Sequence, residues 1–196
     1  MANVKPLRGY RYNEDIVGDI GKQVSPPYYN LNSKEKNELY EISNYNSVRL
    51  FSGKDYDDDN ETNNRFTRAA NYLHEWIKND VLKRDETPAI YMYEETMTIG
   101  SVTSYSNRSF ITLLELEELG QGVVMSCEEI REVSLQDRYE FLTATNADLS
   151  IITCMYSERE KDLLNLMNDL AQEEPDVEFD SMDGIHQRVW VITYKP

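Results

Sequence analysis

From about Thr62 onward, apolar residues recur at spacings of three and four: Phe66, Ala69, Ala70, Leu73, Trp76 and Ile77. That is the stripe of a core-facing helix, and His74, set beside Glu75, reads as a surface or packing histidine within it. A shorter helix is expected from Asn32 to Ile42, with Asn32 and Glu35 at capping-box spacing and Leu39 and Ile42 turned inward. A third starts near Ser134 and carries Leu135, Tyr139, Leu142 and Ala144. A fourth starts at Ser157, where Glu160 completes another capping box, and buries Leu163, Leu164, Met167 and Leu170.

Strand patterns fall between these helices. Ser47 to Phe51 is a short apolar run read as a strand, and Ala89 to Met97 alternates around Tyr91, Tyr93 and Glu95 before turning near Gly100. Ser109 to Glu117 returns with Ile111, Leu113 and Leu114, so the two predict a hairpin. Ser150 to Tyr156 is continuously apolar and reads as a central strand. Val177–Ser181 and Arg188–Tyr194 flank Asp183-Gly184, a strong hairpin signal. Helices interrupt strand pairs rather than alternate with strands. The expected fold is therefore α+β (mixed α/β), with about four helices on a largely antiparallel or mixed sheet, in a single domain over residues 1–196.

Charge narrows the partners. Over 196 residues, Lys and Arg number 20 against 36 Asp and Glu, a net charge of −16. Such a field disfavours nucleic acid and membrane surfaces unless arginines cluster locally. No apolar run reaches signal-peptide or membrane-span length, so a cytoplasmic protein is expected. Cys127 and Cys154 lie far apart with no CxxC and only two His in the chain, which disfavours structural zinc and leads us to expect two buried free thiols. Lys54 to Asn64 (KDYDDDNETNN) lacks the mid-loop Gly of a calcium loop and reads as a solvated loop leading into a helix.

No phosphate-cradling loop, nucleophile elbow or HExxH is present, and three stretches carry what chemistry there is. In Val24 to Asn30, Pro26 and Pro27 make a stiff extended segment that either holds Tyr28 and Tyr29 against a ligand or simply connects elements over the sheet. In Gly122 to Glu129, a short apolar strand ends at Cys127, Glu128 and Glu129. Glu128 is the better candidate there, as general base or cation ligand, because the flanking carboxylates disfavour a Cys127 thiolate. The third stretch pairs Arg138, in the helix after Ser134, with Asn146 beyond its end, and Arg49 is a similar charge within an apolar run. Each arginine serves either an internal ion pair or an anionic ligand.

Taken in order, these stretches resemble an uncharacterised prokaryotic family, domain of unknown function 1015. The resemblance runs through Lys5 to Arg8 with Tyr12, Val24 to Tyr29, Asn46 to Leu50 and Leu73 to Tyr93. It continues through Arg108 to Ile111, Gly122 to Val124, Asp137-Arg138, Ala144 to Ala147 and Gln187 to Trp190, essentially the whole chain. This chain departs from the family in having Cys127 where His is usual, and Tyr29 where Asp follows Pro-Pro-Tyr. Family members are usually about twice as long, so the resemblance implies an N-terminal portion; Asp183 to His186 reads as a turn rather than the family's later Asp-Gly-His motif.

The leading expectation is a domain that binds a small polar or anionic ligand through Tyr28, Arg49, Glu128, Arg138 and Asn146. The alternatives are a Mg²⁺-dependent enzyme on a phosphorylated metabolite or nucleotide with Glu128 as its catalytic or metal-holding group, and an acidic module for a basic protein partner. A homodimer through a sheet edge left by the two hairpins is a further expectation.

Overall fold

The computed structural model describes residues 2–27, 31–100, 103–118, 120–125, 132–157 and 161–193. Along them run β1 (Val4–Lys5), β2 (Tyr10–Tyr12), α1 (Glu14–Val17), a 3-10 turn (Ile20–Lys22), α2 (Ser33–Ile42), α3 (Val48–Phe51) and α4 (Arg65–Lys78). Then follow β3 (Leu82–Arg84), β4 (Ala89–Ile99), β5 (Thr103–Ile111), β6 (Leu113–Leu114), α5 (Glu132–Thr145), α6 (Asp162–Leu170), β7 (Val177–Asp180) and β8 (His186–Thr193). The fold is α+β with antiparallel sheets, and α2, α4, α5 and α6 are its longer helices. The chain forms two compact units, one mainly of residues 10–83 and 116–150, the other of residues 3–9, 84–115 and 151–196.

The first unit is helical. α2 and α4 start where their caps dictate: the Asn32 carboxamide accepts from the Lys34 and Glu35 amides, and the Asn64 carboxamide from those of Phe66 and Thr67. Leu50, Leu73, Trp76, Val81 and Leu82 form its core, with Tyr12, Tyr45 and Tyr72 around the Trp76 ring. Tyr12 keeps its hydroxyl satisfied by donating to the Tyr45 carbonyl at 2.8 Å. His74 is exposed, as its pattern implies, but so is Ile42, which was expected inside.

Three further expectations fail in this unit for local reasons. Ser47–Phe51 is the helical turn α3 and not a strand. The Asn46 side chain takes the Val48 amide at 3.0 Å, and i→i+3 bonds follow from Arg49 to Asn46 and from Leu50 to Ser47. Val48, Arg49 and Leu50 are all buried, so the run lacks the one-sided period that separates helix from strand. α5 forms where expected, but Leu135, Tyr139 and Leu142 are exposed and Phe141 is buried. Its inward stripe is Ser134, Asp137, Arg138 and Phe141, mostly polar and so invisible to a hydrophobic pattern. Residues 120–125 contain no strand, and the amides of Val123 and Val124 both donate to the Glu117 carboxylate at 2.8 Å.

The second unit is a four-stranded antiparallel sheet ordered β5-β4-β8-β7, beside a two-stranded β1-β6 ladder. On one sheet face Met92 and Trp190, directly opposed in register, pack with Met167 and Ala171 at the end of α6. The expected β4 hairpin is present, but its return strand β5 begins at Thr103, paired to Ile99 just after Gly100 at φ +65, rather than at Ser109. The Asp183-Gly184 hairpin forms as expected, with Gly184 at φ +79. In α6, Met167 is buried but Leu164 is exposed, and the capping partner Glu160 lies outside the described residues.

Ser150–Tyr156, expected as a central strand, has no ladder partner among the described residues, and Ile151, Ile152, Met155 and Tyr156 are exposed. Cys154, expected buried, is likewise exposed as a free thiol, while Cys127 lies outside the described residues.

Met92 is fully buried against Met167 and Trp190, so Met92→Ala opens a cavity in the sheet core. Urea unfolding should show a loss of about 3 kcal/mol; a change below about 1 kcal/mol would contradict this packing.

Candidate functional site

The helical unit gathers cations around one short segment, Phe51 to Asp55. At the end of α2 the Arg49 guanidinium donates to the Tyr40 carbonyl at 2.8 Å and to the Ser43 carbonyl at 3.4 Å, taking up acceptors that a helix C-terminus leaves open. It lies 4.0 Å from the Tyr40 ring centroid and 5.6 Å from that of Tyr72, a double cation–π setting. Arg49 is 8% exposed, no carboxylate pairs with it among the described residues, and its Nε has no hydrogen-bond partner among them.

The carbonyls after α3 are met in the same way. Arg138 donates to the Phe51 carbonyl at 2.9 Å, Lys36 to that of Gly53 at 3.3 Å and Arg68 to that of Lys54 at 2.8 Å. Gly53 is required by close approach: a Cβ there would stand 3.2 Å from the Arg65 Cβ and 3.4 Å from the Arg65 carbonyl oxygen. Arg65 bonds Asp137 and lies 3.4 Å from Asp55, Arg138 bonds the other Asp137 oxygen at 2.5 Å, and Arg68 grips Asp59 with two nitrogens at 2.6 and 2.9 Å. The Asp59 carboxyl is thereby held below its ordinary range, chiefly by the Arg68 hydrogen bonds. The polar loop is thus not uniformly solvated: Asp57 and Asp58 face water while Asp59 folds back onto α4.

Lys36, Arg49, Lys54, Arg65, Arg68 and Arg138 therefore stand against Asp55, Asp59 and Asp137, a local excess of positive charge in a chain of −16. The Lys54 ammonium rests 4.3 Å from the Tyr40 ring centroid with no acidic partner among the described residues. Burial depresses the Lys36 ammonium from its ordinary range, with Arg65 adding to that and Asp55 and Asp137 opposing it.

Of the residues singled out by sequence, Arg49 and Arg138 meet in this cluster. Asn146 does not: it is exposed, sits left-handed at φ +48 and ends α5, about 12 Å along the helix from Arg138. Tyr28 and Glu128 lie outside the described residues. Lys36, Lys54, Arg65 and Arg68 were missed, and the signal for them was present: basic residues concentrated at 34–36 and 65–68 flank the acidic loop of an acidic chain.

The sheet unit holds a second charged group. Glu94, 2% exposed, accepts from Arg108 Nε at 2.5 Å and from Arg188 Nε and Nη2 at 2.9 and 2.5 Å. Register places the three side by side, Glu94 opposite both Arg108 and Arg188, and Asn168 of α6 accepts from Arg108 at 2.5 Å. Burial alone would raise the Glu94 carboxyl, but bonds from Arg188 and Arg108 outweigh it and hold the group below its ordinary range. Next to it the His186 ring bridges Asp180 and Glu178, each at 2.9 Å. Among the described residues no group of three or more His, Cys, Asp or Glu is placed to hold a metal ion, and no helix is long and apolar enough to cross a membrane.

A family model described as "Protein of unknown function (DUF1015)" matches residues 4–195. The chain belongs to this family. Neither a curated protein nor a solved structure matches it. Both charged clusters of this DUF1015 chain fall within the matched span, and the family description names no activity for either.

Glu94→Gln leaves two guanidiniums without their carboxylate and should cost about 3 kcal/mol in urea unfolding at neutral pH. Because the folded carboxyl is held below its unfolded value, its contribution is full above the unfolded range and fades as pH falls through the folded one. The gap between wild type and variant should therefore close in acid; a gap independent of pH would show that Glu94 is not held as an ion.

Proposed function

We propose that the helical unit of this DUF1015 chain binds a small anion of the phosphate or carboxylate class at the cations around Phe51–Asp55. The observation that carries the reading is the local charge excess: six basic side chains against three carboxylates, where the chain as a whole is strongly acidic. The buried, acid-free Arg49 supports it, because a desolvated guanidinium without a counter-ion favours an anion nearby. Arg49, Arg65, Arg68 and Arg138 are tied to carbonyls and carboxylates and shape the site. Lys36 and Lys54, the less committed pair, are the groups offered to a ligand.

Inorganic pyrophosphate is the probe, read by titration calorimetry. Lys36→Ala/Lys54→Ala should weaken its binding by about tenfold or more, while Lys78→Ala/Lys83→Ala, which removes the same charge from exposed sites, should leave it nearly unchanged. No pyrophosphate binding, or equal losses in both double variants, overturns the proposal. Affinity should also fall as pH rises, at a pH below the 10.5 of an ordinary lysine, because the bound anion favours charged Lys36 and burial already lowers its pKa.

A further inference from the structure

The sheet's two outer strands are built differently. β7 carries Glu178 and Asp180 on its short length, charges that discourage another strand from pairing there. β5, the longer outer strand, reads Thr-Ser-Tyr-Ser-Asn-Arg-Ser-Phe-Ile, with no Lys, Pro or acid. Its one charge, Arg108, is bound to Glu94, and among the described residues β5 pairs only with β4. Such an edge presents a row of unpaired backbone donors and acceptors with nothing to turn a partner away.

Ser150–Tyr156 is the complementary anomaly. It has the composition of an interior strand and no charge, yet no ladder partner among the described residues. Ile151, Ile152, Met155 and Tyr156 are exposed by 69%, 85%, 91% and 57%, leaving apolar surface in water at about 25 cal/mol per Å². We propose that the β5 edge docks the Ser150–Tyr156 segment of a second copy of this chain, and that reciprocal exchange closes a two-fold dimer. A second copy fits because every chain carries both halves of the contact, so one exchange satisfies both edges and leaves no open end. It also fits the charge. Two chains of −16 repel each other, and neither stretch carries an acidic residue to add to that repulsion.

The full chain is tested by sedimentation equilibrium across a range of concentrations at low and raised salt, together with the alkylation rate of Cys154. A dimer is expected that tightens with salt, because screening relieves like-charge repulsion, the reverse of an ion-paired interface. Cys154 should react more slowly as the protein is concentrated. Ile152→Lys and, separately, Asn107→Lys should each weaken the dimer by about tenfold or more. Both positions are exposed, so an unchanged circular dichroism spectrum will show that the fold survives. A monomer at every concentration overturns the proposal, including one in which Cys154 is already protected by pairing within its own chain. So does a dimer indifferent to both substitutions.

Discussion

Backbone carbonyls that the local backbone leaves open dictate much of the helical unit. The end of α2 and the turn after α3 leave a series of acceptors without a helical partner. Each is met by a cation reaching across from another element: Arg49 at Tyr40 and Ser43, Arg138 at Phe51, Lys36 at Gly53, Arg68 at Lys54. Three of these cations come from α2, α4 and α5, so this capping ties those helices to one five-residue segment. Carboxylates at Asp55, Asp59 and Asp137 moderate the repulsion among them without neutralising it. The local excess of positive charge is thus a consequence of how α2 and α3 are terminated.

The sheet unit solves a similar problem with the opposite sign. A carboxylate on the core face of β4 would be costly alone, and the register of the antiparallel ladders sets an arginine on each side of it. The polar end of this sheet face is held by ion pairs, and with Glu178 and Asp180 beside its two arginines it has no positive surplus like that around Phe51–Asp55. The two units consequently offer anions very unequal prospects.

The sequence pattern was most legible where one physical rule dominated. A capping box located α2, the apolar stripe from Phe66 to Ile77 located α4, and the Asp-Gly turn located β7 and β8. It failed where two rules compete. Val48 to Leu50 is buried all round, so burial carries no period and Asn46 decides for a helical turn. α5 turns Asp137 and Arg138 inward because their partners lie on α4 and α3, contacts without trace in a hydrophobic stripe. Arg49 was singled out as a charge in an apolar run, but its use as a helix cap depends on where Tyr40 and Ser43 fall in space. Ser150–Tyr156 reads as interior by composition and is exposed, a conflict between local pattern and burial that no sequence rule resolves.

The cations around Phe51–Asp55 predict where an anion goes. Amide chemical shifts of the isotope-labelled chain, followed during a pyrophosphate titration, locate it directly. Saturating changes confined to Gly53, Lys54, Asp55 and the facing turn of α2 are the predicted result. Changes centred instead on Arg108 and Arg188 of the sheet, or spread weakly over every basic residue, would contradict it.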